Sequence, residues 1–249
     1  MSLFTASMCV NLQESDDNFS MLQQIRLIVA LFLLATTVSA QWQAQTINTD
    51  SSFRGLCAVT DKVAWVSGTK GTVGRTIDGG ATWDVLSVPD AAQLDFRDIE
   101  AFSESVAYVL SIGKGEASRI YKTIDGGKTW RLQFKNNDAD AFYDALAFWG
   151  EKNGIAVSDP VKGQFRILTT EDGGTTWAPV FKGMMPAALP NEGAFAASGT
   201  CLFAFGFTNA WLVTGGAQSA RIFSSTNRGR TWTVTDTPLI AGIASAGIF

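Results

Sequence analysis

Five polar residues carry the side chains best suited to bind or transform a ligand: Arg54, Arg97, Asp98, Tyr143 and Asp144. A guanidinium group can hold a carboxylate through two parallel hydrogen bonds. Arg54 and Arg97 together would therefore suit an acidic peptide end or a sugar acid. The competing interpretation pairs Arg97 with Asp98, or with another nearby acid, in a solvated rim that binds nothing.

The composition narrows the possible chemistry. The chain has no His, which removes His-dependent catalytic triads and most zinc sites. A formal net charge of −4 disfavours a nucleic-acid-binding surface, because such surfaces concentrate Lys and Arg. Glu192 is one further polar candidate, whereas Asp138, Asp140 and Asp159 are interpreted as turn formers. We predict no metal and no cofactor.

The N-terminal residues are typical of an export signal. Arg26 precedes an uninterrupted apolar run, Leu27–Ala35, and small residues at Val38–Ala40 provide a cleavage site before Gln41. Residues 1–40 are therefore predicted to be an N-terminal extension and signal peptide, and the mature protein to be periplasmic or extracellular. An uncleaved signal anchor is the alternative, although the apolar run is short for a membrane span.

The mature chain retains only two cysteines, Cys57 and Cys201. Both fall on predicted first strands of repeats that are not neighbours, so a disulfide between them is not expected. We predict two buried free thiols.

An eight-residue motif recurs four times and predicts the fold. Residues 76–83 read TIDGGATW, and the motif returns at 123–130, 170–177 and 225–232. Its starts at 76, 123, 170 and 225 are 47, 47 and 55 residues apart, which is the length of a four-stranded propeller blade. The chain is therefore predicted to be an all-β β-propeller over residues 41–249, with about four blades present.

Each residue type in the motif has a structural task in a hairpin turn. The Asp accepts hydrogen bonds from backbone N–H groups, Gly permits a positive φ, and the Trp starts the following strand with a large buried surface. One copy has Asn in place of Asp, which a turn tolerates and a catalytic carboxylate would not. The predicted structural positions are Asp78, Trp83, Asp125, Trp130, Asp172, Trp177, Asn227 and Trp232.

The predicted strands around each motif determine where the five candidate residues lie in the fold. Apolar first strands are predicted near Phe53, Phe96 and Phe142, with a divergent fourth version near Gly193–Phe195. Propellers bind ligands where the first strands begin, at one end of the central channel. The polar residues at these strand starts are therefore the predicted ligand-binding residues.

The two ends of the repeat region suggest further blades. Residues 42–46 resemble a strand that follows a motif, without a motif in front of them, and 241–249 resemble the opening of a fifth blade. An open propeller would leave unpaired sheet edges, which natural proteins cover or close. We expect the four blades to be part of a larger closed propeller.

The repeated motif resembles the BNR or Asp-box repeats of sialidases, sortilin-type receptors and the photosystem II stability/assembly factor family. The sequence FRDI at 96–99 and the 47-residue period are most similar to assembly-factor-like proteins, including bacterial relatives. The resemblance covers nearly all of 41–249 and implies a scaffold in an export compartment that docks on other proteins.

A sialidase would need an arginine cluster, a Tyr nucleophile with a Glu base, and an acidic proton donor. The mature chain has only Tyr108, Tyr121 and Tyr143, and no F/Y-R-I-P segment precedes the first box. We therefore predict an exported, non-catalytic propeller that binds a protein partner through its channel face. The alternative is a glycoside hydrolase, sialidase-like or using another carboxylate pair, with a carbohydrate ligand.

Overall fold

The computed structural model describes residues 43–181, 183–197, 199–243 and 246–248. The chain divides into two units, Met1–Ala44 and Gln45–Phe249, and all four motifs lie in the second. The predicted signal peptide, its cleavage site and Trp42 lie outside the described residues. Across the described residues, no helix has the length and apolar character needed to cross a membrane.

The second unit is all-β. Its described residues form sixteen strands in four antiparallel sheets, each built from four consecutive strands. We name the sheets blades A to D. Blade A contains β1 (Phe53–Ala58), β2 (Ala64–Gly68), β3 (Thr72–Thr76) and β4 (Asp84–Ser87). Blade B contains β5 (Asp95–Ala101), β6 (Ala107–Ile112), β7 (Arg119–Thr123) and β8 (Arg131–Lys135), with a short 3-10 helix at Gly115–Ala117.

Blades C and D repeat the pattern. Blade C contains β9 (Tyr143–Phe148), β10 (Gly154–Ser158), β11 (Ile167–Thr170) and β12 (Ala178–Pro179). Blade D contains β13 (Leu202–Phe205), β14 (Asn209–Val213), β15 (Arg221–Ser225) and β16 (Thr233–Asp236). The predicted propeller architecture is confirmed in these four blades.

Each motif folds as the turn between the third and fourth strands of its blade. In the first copy, the Thr82 amide donates to Asp78 Oδ1 over 2.9 Å and the Gly80 amide donates to Thr76 Oγ1 over 2.9 Å. Gly79 and Gly80 have φ values of 75° and 89°, which only glycine adopts without strain. In the fourth copy, Asn227 Oδ1 accepts the corresponding amide hydrogen bond at 2.9 Å.

Consecutive blades pack face to face. Successive residues of a strand point to opposite faces, so one strand serves two interfaces. In β6, Val109 packs towards blade A, whereas Tyr108 and Leu110 pack towards blade C. We call the face of a blade towards the next blade its front face, and the opposite one its rear face.

The apolar core lies in the three interfaces between blades. Trp65 and Val73 of blade A pack against Val109 and Tyr121 of blade B. The interface of blades B and C buries Tyr108, Leu110, Ala156 and Leu168. The interface of blades C and D buries Ile155, Val157, Leu212 and Phe223.

Three local predictions need revision. The first strand of blade D begins at Leu202, because the chain leaves the sheet after Gly193, which pairs with Gly215, and returns only at Leu202. Residues 43–46 form no strand. Cys57 and Cys201 are both free, but only Cys201 is buried, since Cys57 retains partial exposure.

Candidate functional site

The first strands of successive blades lie side by side, as expected around a central channel. The Ala101 amide contacts Cys57 Sγ at 3.3 Å, which joins β5 to β1, and the Leu146 amide donates to Asp98 Oδ2 over 2.7 Å, which joins β9 to β5. Strand β13 also lies beside β9. The beginnings of these strands form the channel mouth, where the five candidate residues lie.

Three of the candidates are bulge residues. The register of β1 shifts between Phe53 and Gly55, and that of β5 between Phe96 and Asp98, leaving Arg54 and Arg97 without a partner on the second strand. Asp144 is the extra residue in blade C, because Tyr143 pairs with Ser158 and the next pair is Ala145 with Val157. A bulge redirects its side chain away from the regular alternation. Equivalent positions on neighbouring first strands therefore carry Arg54, Arg97 and Asp144.

The two arginines differ in their surroundings. Arg54 is exposed, and within the described part of the chain its side chain forms no ion pair. Arg97 is partly exposed, and its Nε donates to Asp95 Oδ2 over 2.9 Å while Nη1 donates to the Ala196 carbonyl over 3.2 Å. The acid that pairs with Arg97 is thus Asp95 rather than Asp98.

Asp98 ties blades B and C together instead of facing solvent. It is buried, and its two oxygens accept hydrogen bonds from the amides of Ile99 and Leu146 over 2.8 and 2.7 Å. Burial raises the pKa of Asp98 to about 7, although the two amides lower it. Burial also raises the pKa of Glu100, on the same strand, to about 8, with a further increase from the charge of Asp98.

Tyr143 and Asp144 are also buried. The Tyr143 ring packs edge-on against Phe134 with a centroid distance of 5.2 Å, and burial raises its pKa above the ordinary value. Burial and the nearby charge of Asp159 raise the pKa of Asp144 well above its usual range. Asp144 Oδ2 has no hydrogen-bond partner among the described residues. These side chains form part of the packing at the channel mouth.

A segment of the chain covers these acids. Residues 193–197 and 199–201, which we call the crossing segment, leave blade D after Gly193 and return to it at Leu202. Over blade C, the Ala194 amide donates to Asp159 Oδ1 over 2.9 Å. Over blade B, the Ala196 carbonyl accepts from Arg97, and Gly199 lies so close to Asp98 that a Cβ atom would clash with the carboxylate.

Glu192 anchors the start of the crossing segment. Its buried carboxylate accepts hydrogen bonds from both Nε and Nη2 of Arg221, the first at 2.9 Å, and from the Thr214 hydroxyl at 2.6 Å. The Leu189 amide donates to its second oxygen over 2.8 Å. Arg221 also donates to the Ala187 carbonyl over 2.9 Å. Glu192 is therefore fully engaged in a structural network.

The structure brings together Arg97, Asp98 and Asp144 under one covering segment and leaves Arg54 open to solvent. Sequence reasoning missed Asp95 as the partner of Arg97, the Arg221 pair of Glu192, and the contact of Asp159 with the crossing segment. The available signal was the third period, of 55 residues, because its excess over 47 indicates an insertion. Ligand binding at the five candidates stays a prediction.

Two cavities lie away from Arg54 and Arg97. One, of about 90 Å³, is lined by residues that include Tyr143, Arg166 and Phe181. The other, of about 410 Å³, lies at the outer strands and is lined by residues that include Lys122 and Arg131. Neither contains Arg54 or Arg97. Among the described residues, no group of three or more His, Cys, Asp or Glu side chains is arranged to hold a metal ion.

No family model matches the chain, and no curated protein matches it in sequence. Solved structures do resemble it. A GH74 enzyme from Niastella koreensis is 15% identical with a TM-score of 0.52, covering 83% of this chain and 27% of that one. A protein of unknown function from Dyadobacter fermentans is 14% identical with a TM-score of 0.52, covering 77% of this chain and 70% of that one.

A structure of YCF48 bound to a D1 peptide is 16% identical with a TM-score of 0.48, covering 80% of this chain and 71% of that chain. This chain spans about a quarter of the length of the GH74 enzyme, at 27%. The likeness to the GH74 enzyme and the Dyadobacter protein is one of fold, and it agrees with the four-blade β-propeller architecture.

Proposed function

We propose that this protein is an exported, non-catalytic β-propeller scaffold that binds an acidic segment of a protein partner at its channel mouth, in the manner of an assembly factor. The observation that carries the proposal is the pair of bulges that place Arg54 and Arg97 at equivalent positions on neighbouring first strands. Two guanidinium groups at one level of the channel mouth suit a carboxylate-bearing peptide.

The surroundings of the two arginines support binding better than hydrolysis. A carboxylate-based glycoside hydrolase needs an acid and a second carboxylate facing one pocket. Asp98 instead accepts hydrogen bonds from two backbone amides, and Asp144 is buried next to the Ala196 backbone of the crossing segment. Arg54 remains exposed and Arg97 partly exposed, so an incoming carboxylate meets cations first.

A binding assay tests the proposal directly. The probe is fluorescein-labelled hexaglutamate with a free carboxyl terminus, followed by fluorescence anisotropy, with hexaserine as the neutral comparison. Arg54→Ala should weaken hexaglutamate binding by at least about ten-fold, because a hydrogen bond to a charged group contributes roughly 1.5–3 kcal/mol. Arg131→Ala is the matched control, since Arg131 is an exposed arginine on the outer strand β8.

Two results would contradict the proposal. One is equal affinity of the Arg54→Ala and Arg131→Ala proteins for hexaglutamate. The other is enzyme-like turnover of aryl glycosides that an Arg97→Ala change abolishes, which would favour the hydrolase. The export component is tested separately by N-terminal sequencing of the protein from its source cells, where a mature chain beginning at Gln41 is expected.

A further inference from the structure

Each interface between blades buries the side chain at one equivalent position of the second strand. Trp65, Tyr108 and Ile155 are the second residues of β2, β6 and β10, and all three are fully buried on the front face. Each lies against the second Gly position of the eight-residue motif, here called the Asp box, in the following blade. A Cβ atom added at Gly127 would lie 3.6 Å from the Trp65 ring, and one at Gly174 would lie 3.1 Å from the Tyr108 ring.

Two of these three residues also form a hydrogen bond to the following blade, and the third makes an apolar contact with it. The Trp65 indole N–H donates to the Ser103 carbonyl over 3.0 Å, in the turn between β5 and β6 of blade B. The Tyr108 hydroxyl donates to the Gly173 carbonyl over 2.8 Å, in the box of blade C. Ile155 contacts Gly229 in the box of blade D. The box turn of one blade is thus a socket for the front face of the blade before it.

Trp211 is the fourth member of this series. It directly follows Ala210, which pairs with Ser225, just as Trp65 directly follows Ala64, which pairs with Thr76. Its side chain points to the front face of blade D, where the described chain supplies no further box. Its ring stacks on Phe203 with a centroid distance of 6.2 Å, and Phe203 stacks on Phe205 at 6.4 Å. Phe203 and Phe205 are 58% and 61% exposed. These three aromatic residues form an apolar surface, which we call the D front face.

The rear face of blade A has the complementary socket. At the box glycine Gly80, the three nearest atoms to an added Cβ atom all belong to the side chain of the exposed Gln45, with Oε1 at 2.8 Å. Leu56 and Val85 on the same rear face are 69% and 44% exposed. Gln45 is a polar substitute for the aromatic or aliphatic side chains that fill the three other box sockets.

We infer that the D front face docks on the rear face of blade A in a second copy of this chain. The contact continues the interface that the chain already forms three times, with Trp211 in the place of Gln45 beneath Gly80. By equivalence with Trp65 and Ser103, the Trp211 indole N–H donates to the carbonyl of Thr60. Thr60 and Ser103 hold equivalent turns, because their hydroxyls accept the amides of Val63 and Val106 over 2.9 and 3.0 Å.

The register of the contact follows from the same equivalence. Phe203 pairs with Trp211 as Cys57 pairs with Trp65, so Phe203 and Cys57 hold equivalent positions. The sulfur of Cys57 contacts the backbone of Ala101 in the next blade. The position of blade A that is equivalent to Ala101 is Ala58. Phe203 of one copy therefore lies beside Ala58 of the other. Such a contact is heterologous, since it joins two different faces. Two contacts of this kind between the four described blades of each copy would close a ring of blades, and propellers have roughly four to eight.

Sedimentation velocity of the purified protein over a range of concentrations tests the association. We expect a concentration-dependent dimer, and Trp211→Glu should shift it to monomer by at least about ten-fold in dissociation constant, because a charge in an apolar interface loses its hydration. Phe181→Glu is the matched control, an 82% exposed aromatic outside the D front face. Gln45→Trp should fill the Gly80 socket within each copy and also weaken the dimer.

Unchanged circular dichroism and melting temperature would show that these variants fold. A monomeric wild-type protein at about 100 μM, in the range of weak association, would overturn the inference. So would a dimer unaffected by Trp211→Glu.

Photo-crosslinking distinguishes the proposed contact from a symmetric one. Benzoylphenylalanine placed at position 203 should crosslink between copies to the segment around Ala58 on β1, identified by peptide mass spectrometry. Crosslinks to blade D of the other copy would overturn the inference, because they would show that two aromatic faces pack on each other. The absence of any intermolecular crosslink from a dimer would overturn it as well.

Discussion

The buried ion pair of Glu192 and Arg221 provides the sharpest test of how the channel mouth is held together. Replacing Arg221 with Met keeps most of the apolar stem and removes the guanidinium group. The change deletes two hydrogen bonds to Glu192 and one to the Ala187 carbonyl. The carboxylate, which is completely buried, then keeps only the Thr214 hydroxyl and the Leu189 amide.

The expected loss of stability is large because a buried charge is left without its counter-charge. Removing one partner of a buried ion pair costs about 3–5 kcal/mol. A domain of this size loses roughly 2–4 °C of melting temperature per kcal/mol. We therefore expect Arg221→Met to lower the melting temperature by about 10 °C. The double variant Arg221→Met with Glu192→Leu should be more stable than the single one, since it removes the unpaired charge.

Urea unfolding followed by tryptophan fluorescence measures these differences. The matched control is Arg230→Met, because Arg230 pairs with Glu171 at the surface, where the two side chains are 58% and 62% exposed. An exposed ion pair contributes about 0–1 kcal/mol, so this variant should remain close to wild type. Equal effects of Arg221→Met and Arg230→Met would refute the reasoning, as would a double variant no more stable than Arg221→Met.

Two further predictions concern Asp98 and the Asp box. The pKa of Asp98 is near 7 in the folded protein and near 3.8 without burial, so the folded state holds the proton more tightly. Stability should then fall as pH rises from about 4 to 7, by on the order of 2–4 kcal/mol, and Asp98→Asn should flatten this fall in urea midpoints measured at pH 5 and pH 8. In the second box, Asp125→Ala should lower the melting temperature more than Asp125→Asn, because Asn227 already makes the equivalent amide hydrogen bond. Equal losses in the two Asp125 variants would contradict this.

The fold was predictable because each blade carries its own local signal. The motif that ends at Trp83 returns with the same turn chemistry at three later places, and the third strands Thr72–Thr76 and Arg119–Thr123 lie where the alternation of residues indicates. The residues of a turn interact with partners only four or five positions away, so the turn is recognisable from the sequence. The first strand of blade D was missed because an insertion between Gly193 and Leu202, which carries no repeat signal, displaces the start of that strand.

The candidate site was predictable only as a location. The starts of the first strands do meet at the channel mouth, but burial and pairing there depend on contacts far apart in sequence. Arg97 contacts Ala196, 99 residues away, and Asp98 accepts from Leu146, 48 residues away. Residue types alone therefore indicated that acids and arginines share one region. They did not indicate that Asp98 serves as a bond between blades.

The insertion that made the first strand of blade D hard to predict also forms part of the candidate site. In repeat proteins, an insertion in one repeat places a loop on one face, which is often the binding face. Here the longest period, 55 residues against 47, contains the crossing segment. That segment covers Asp98 and Asp144 and engages Arg97, so a ligand bound at the channel mouth as we propose would meet Arg54 and the crossing segment before any of the buried acids. Ligand selectivity should therefore depend on the sequence of the insertion as much as on the repeated strands.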